Sequence, residues 1–150
     1  MKLYYSLLFL LSASLSYAQL WQKTAINIGY RYTGRNVLQA GLEFKTNGMS
    51  EQSVIAGVSM LYTFCNHEEK FLPEANIYYS SISGYLLGAS LNPYAVEPRL
   101  GFSLFNFIYL NTGYALPIHR DKYFRGITFG VQLNIAPAKS TGFYDRLKVM

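Results

Sequence analysis

The stretch RGITFGVQLNI, residues 125–135, decides the fold. Ile127, Phe129, Val131, Leu133 and Ile135 alternate with Thr128, Gly130, Gln132 and Asn134. A period of two belongs to a β-strand, whose successive side chains point to opposite faces. One face here is wholly apolar and the other is small or polar. In a soluble sheet the apolar face turns inward, whereas in a membrane barrel it turns outward to lipid.

Seven further segments carry the same kind of pattern, at about 24–33, 37–45, 53–64, 72–81, 85–91, 95–104 and 106–116. Turn signals separate them, among them Gly34-Arg35-Asn36, Asn47-Gly48, Ser83-Gly84 and Asn92-Pro93. Two polar loops are expected, CNHEEK at 65–70 and PIHRDK at 117–122. Pro98 sits awkwardly inside the sixth segment, because proline removes one ladder hydrogen bond. No helix is expected before residue 136, and no segment after residue 18 is long and apolar enough for a membrane helix. Eight strands of 7–12 residues suit an antiparallel up-and-down barrel. A membrane-crossing strand needs about 9–11 residues, and bacterial barrels use even strand numbers from about eight upward.

The first residues point to export. Met1-Lys2 is a basic start, Leu3 to Leu11 is apolar apart from Ser6, and Ser16-Tyr17-Ala18 places small residues at the −3 and −1 positions. These are the three parts of a secretory signal peptide, cut before Gln19. The apolar run falls short of the about 20 residues that a spanning helix wants. The chain therefore divides into a signal peptide (1–18), a barrel domain (19–135) and a C-terminal tail (136–150).

Composition narrows the class further. One cysteine, Cys65, excludes an intramolecular disulfide. A small exported domain without disulfides needs another source of stability, and a closed barrel supplies one. The net charge of +5 is scattered rather than clustered, so no nucleic-acid surface is expected. There are 14 Tyr and 10 Phe against 14% charged residues, which suits strands and membrane interfaces.

The polar faces indicate which side is inside. Gly29, Gly41, Gly57, Gly88, Gly101 and Gly130 recur on them. Glycine weakens a strand, so its repetition on one face implies a need for space. Arg31, Glu43, Glu74, Glu97 and Arg99 share that face, with Arg125 at the start of the last strand. In the narrow lumen of an eight-stranded barrel these six charges would form a paired, buried network, since buried charges persist when paired and hydrogen-bonded. Such a lumen is filled, and a pore is disfavoured.

Signal peptide, eight alternating strands, glycine on the polar face and the final GITFGVQLNI strand together resemble a small bacterial outer-membrane β-barrel protein. The texture of the chain, with Ala18-Gln19 at the cut, looks like the uncharacterised small barrels of the Bacteroidetes. The resemblance covers about residues 24–135 plus the signal and carries no activity. It implies the outer membrane of a Gram-negative cell, with outer-membrane lipid and the barrel insertion machinery as partners. Many such barrels end on a terminal aromatic that this machinery reads. Here Ala136 to Met150 follow, with Pro137 breaking the strand, so the signal would be internal at about 126–135 or the tail a short periplasmic helix. With the amino terminus in the periplasm, the loops after strands one, three, five and seven would face outward.

Catalytic chemistry is thinly represented. The two histidines, His67 and His119, fall in loops. The lipid A deacylases, one class of eight-stranded barrel, carry a His-x-Ser motif near their final strands. Two residues after His119 stands Asp121, and the next serine is Ser140, beyond the last strand. Cys65, His67, Glu68 and Glu69 match no closed zinc pattern, so no metal is expected. No glycine loop of the phosphate-cradling kind is present and no cofactor is expected. Three functions follow in order: a structural or interaction protein of the outer membrane, a soluble exported barrel or sandwich with a small apolar ligand in its cavity, and a lipid-modifying enzyme acting through His119 and Asp121.

Overall fold

A computed structural model describes residues 23–46, 53–65, 68–81, 83–104 and 107–136. The expected signal peptide, His67, Ser140 and the residues from Pro137 onward lie outside these residues. The described chain is all β, with strands β1 (Thr24–Tyr32), β2 (Asn36–Lys45), β3 (Ser53–Cys65), β4 (Glu68–Ser80), β5 (Tyr85–Leu91), β6 (Ala95–Leu104), β7 (Ile108–Pro117) and β8 (Gly126–Ile135). Each pairs antiparallel with its neighbour in sequence, and β8 returns to β1, closing an eight-stranded barrel.

Register sets the shape of the closure. One row of paired residues runs Ile26, Leu42, Val58, Ala75, Leu91, Val96 and Leu116. The same registers carry the row on to position 125 of the chain and back to position 36, ten residues beyond its start. A stagger of this kind requires strands tilted by about 35–45° from the barrel axis.

The alternation read from the sequence holds around the wall. Ile127 and Phe129 are 61% and 60% exposed, while Thr128 between them is 1% exposed. Ile28, Leu38, Val58, Ile77, Leu87 and Leu100 are likewise exposed on the outside. Outward aromatics gather toward strand ends, with Tyr32, Phe64 and Phe71 at one end and Tyr79, Tyr85 and Phe102 at the other.

Two expectations are corrected. β4 begins at Glu68 rather than at residue 72, so Glu68 to Lys70 of the CNHEEK segment are ladder residues, with Cys65 opposite Glu68 and Thr63 opposite Lys70. Charged side chains at a sheet's rim remain solvated, so they do not end a strand. Arg125 is exposed and lies outside the lumen. It immediately precedes Gly126, which pairs with inward Ala115, so the pleat assigns Arg125 to the outer side.

The glycines do answer a need for space. A Cβ on Gly41 would meet the Val58 carbonyl and the Cα of Ser59, and one on Gly88 would meet the Ile77 carbonyl and Tyr78. At Gly130 the obstacle is the side-chain amide of Asn111. Gly113 behaves as they do, against the Pro98 carbonyl. Pro98 pairs with Ala89 on its β5 side, and the β6–β7 pairing lapses between Val96 and Arg99, where the missing N–H would have donated.

Candidate functional site

The lumen is layered. At its centre lie two arginines and two glutamates contributed by three strands. Arg31 of β1 donates to Glu74 of β4 through both terminal nitrogens, at 2.7 and 3.3 Å. Arg99 of β6 reaches Glu74 at 3.2 Å and Glu97 at 2.9 Å. Arg31 also lies 3.6 Å from Glu97, whose Oε1 accepts from the Thr128 hydroxyl at 2.6 Å. The four charges cancel, and each carboxylate faces both arginines. Five of the six charges expected in the lumen are there; four of them form this ring and Glu43 stands apart.

Glu43 belongs to an amide layer. Asn27 and Gln132 each donate to its Oε1 at 2.6 Å. Asn134 accepts from Asn27 at 2.9 Å, and Gln39 donates to Ser59 at 3.2 Å. These amides all occupy polar positions of their strands, so the alternation that revealed the charges also places them; their chemistry was overlooked because amides carry no charge pattern. Beside them a cavity of about 30 Å³, bordered by Asn76, Arg99, Asn111 and Gln132, has room for about one water.

The loop end of the lumen is shut by an apolar plug. Phe124, from the connection between β7 and β8, is 1% exposed and packs with Val37, Leu61, Leu72, Ala95 and Ala115. Next to it Tyr123 is held from three sides. Arg35 donates to its carbonyl at 2.8 Å, Lys70 stands 4.5 Å above its ring, and Tyr94 meets it edge-on at 4.9 Å. Nothing in the sequence marked Phe124 as buried, because a loop residue has no period to read.

The proposed catalytic pair is placed differently. His119 and Asp121 are both solvent-exposed, with His119 Nδ1 accepting the Asp121 backbone N–H at 3.1 Å and lying 3.8 Å from its carboxylate. Cys65 is buried while Glu68 and Glu69 are exposed, and no group of three or more metal-ligating side chains occurs among the described residues. The site of this protein is therefore its barrel: a neutral ion-paired core, an amide layer and a capped mouth inside an apolar wall. No protein-family model matches the chain, and no curated protein or solved structure matches it.

Proposed function

We propose that the chain is an exported β-barrel of an outer membrane, with a structural or interaction role and no catalysis. Its strongest support is the inverted polarity of the wall. Large apolar side chains cover the outside while Arg31, Glu74, Glu97 and Asn27 are buried within. In water that arrangement would leave far more apolar surface exposed than a monomer tolerates, whereas a bilayer covers it. The aromatic residues toward strand ends fit the two membrane–water interfaces. A soluble barrel for an apolar ligand needs an apolar interior, and this interior is charged. The exposed His119–Asp121 pair, without a serine beside it, gives little support to a lipid-modifying enzyme.

In this reading the leader directs export, and the end of β3, the start of β4 and the 118–125 connection face the cell exterior. The reading is tested by carbonate extraction of cells expressing the chain. The mature protein is expected in the membrane pellet and should run faster on a gel unheated than boiled. Recovery in a carbonate-soluble periplasmic pool would overturn it.

A further inference from the structure

β5 is the shortest strand and ends at Leu91, opposite Ala75 of β4. β4 runs on from there to Glu68 with β3 as its partner on one side. Pro73 stands in this overhang, where a residue without an N–H leaves no ladder bond unmade on the open side. The turn after β5 crosses in front of it. Asn92 Oδ1 accepts the N–H groups of Tyr94 and Ala95, both at 2.9 Å, which fixes Pro93 in place. Ile118 joins this turn by donating its N–H to the Tyr94 carbonyl at 2.9 Å.

These pieces enclose an open groove of about 520 Å³ in the outer wall, lined by Val58, Pro73, Ala75, Leu91, Pro93 and Ile118. The groove is shallow and open on its outer side. The loop that supplies Ile118 continues with exposed His119, Arg120 and Lys122 against one acid, Asp121, before the chain crosses to β8 on the far side of the barrel. Glu68 and Glu69 lie at the far tip of the overhang, Glu69 about 13 Å past Pro73 at the usual rise per residue. Ile118 thus joins the apolar lining of the groove to the segment that carries Arg120 and Lys122.

We propose that this groove is a lateral binding site for one acyl chain of a phosphate-bearing anionic lipid, with the phosphate against Arg120 and its neighbouring loop cations. The proposal rests on the outer-membrane reading and goes beyond it by giving the wall a selective lipid site. Charge supplies the preference for an anionic head group, and the shape of the groove supplies the chain site.

The test is native mass spectrometry of the full mature protein in detergent, with phosphatidylglycerol and phosphatidylcholine of matched chains. Phosphatidylglycerol is expected to be retained about fivefold more than phosphatidylcholine. Arg120→Ala should lower phosphatidylglycerol retention more than phosphatidylcholine retention and so reduce that preference. Ala75→Trp, which fills the groove, and Ile118→Ser, which opens its wall, should lower retention of both lipids. Unheated gel mobility like that of the wild type identifies the variants that have folded. Equal retention of the two lipids, or unchanged retention in the folded groove variants, would overturn the site alone. A wild-type protein that fails to float with vesicles would overturn the outer-membrane reading and the site with it.

Discussion

Arg31 and Glu74 meet across the lumen at 2.7 Å, joining β1 to β4 through side chains that are 3% and 0% exposed. Neither strand pairs with the other, so this contact ties together parts of the wall that the backbone ladder leaves apart. Glu74 also receives Arg99, so its removal would leave two guanidinium groups short of a partner. Breaking one side of a buried pair costs about 3–5 kcal/mol, because the remaining charge stays desolvated. Glu74→Gln is expected to lose stability on that scale in urea unfolding followed by circular dichroism in detergent. Arg31→Lys, which keeps the charge and loses the two-pronged contact, should lose less. A Glu74→Gln midpoint equal to that of the wild type would show that the ring does not hold the barrel.

The lumen glycines divide by what a methyl group would strike. At Gly41 it meets the Val58 carbonyl and Ser59 backbone, whereas at Gly29 the nearest atom is the Val131 carbonyl at 3.1 Å. Gly41→Ala is expected to destabilise by about 1–3 kcal/mol, the usual cost of overpacking. Gly29→Ala should cost less, since a shift of a few tenths of an ångström relieves it. The ranking is read from the temperatures at which the two variants lose their compact gel mobility. The reverse order would sink the steric account.

The barrel was legible because its strands are amphipathic in the same sense. Ile127 to Ile135 in β8, and Ile26 to Tyr32 in β1, alternate cleanly enough to set both the element and the face. Arg31, Glu43, Glu74, Glu97 and Arg99 were placed by the same parity. Arg125 is the exception: it has the parity of outward Ile127, and its place beside Gly126 at the start of β8 does not bring it inside. The start of β4 was hidden by Glu68 and Glu69, which resemble a turn in composition yet pair with β3. Phe124, the groove beside β5 and the partners within the ring depend on long-range closure, and no local pattern encodes them.

The plug depends on contacts to Tyr123. Arg35 binds its carbonyl, and Lys70 stands near its ring and 3.4 Å from its hydroxyl. Tyr123→Ala removes the ring between Lys70 and Tyr94 while leaving the strands intact. The 118–125 segment should then open more often, and its Arg120, Lys122 and Arg125 become better trypsin sites, since cleavage follows the population of opened states. Mass analysis of limited digests should show faster cleavage at these positions with the barrel core still resistant. Identical digestion of variant and wild type would argue that Phe124 alone holds the loop.

Val131 provides the sharpest test of which solvent the wall meets. It sits midway along β8 on the apolar face, between Tyr30 of β1 and Leu110 of β7, and is 46% exposed. In a bilayer an arginine there would lie in hydrocarbon and cost about 2–4 kcal/mol, while at a strand end near the interface it would cost about 0–1 kcal/mol. In water both would be exposed surface changes, worth within about 0.5 kcal/mol. Leu116, 47% exposed near the end of β7, is the matched position. Val131→Arg and Leu116→Arg should therefore separate by at least about 1 kcal/mol when unfolding is measured in lipid vesicles. Equal and negligible effects would place the apolar face of RGITFGVQLNI against water and remove the basis of the membrane assignment.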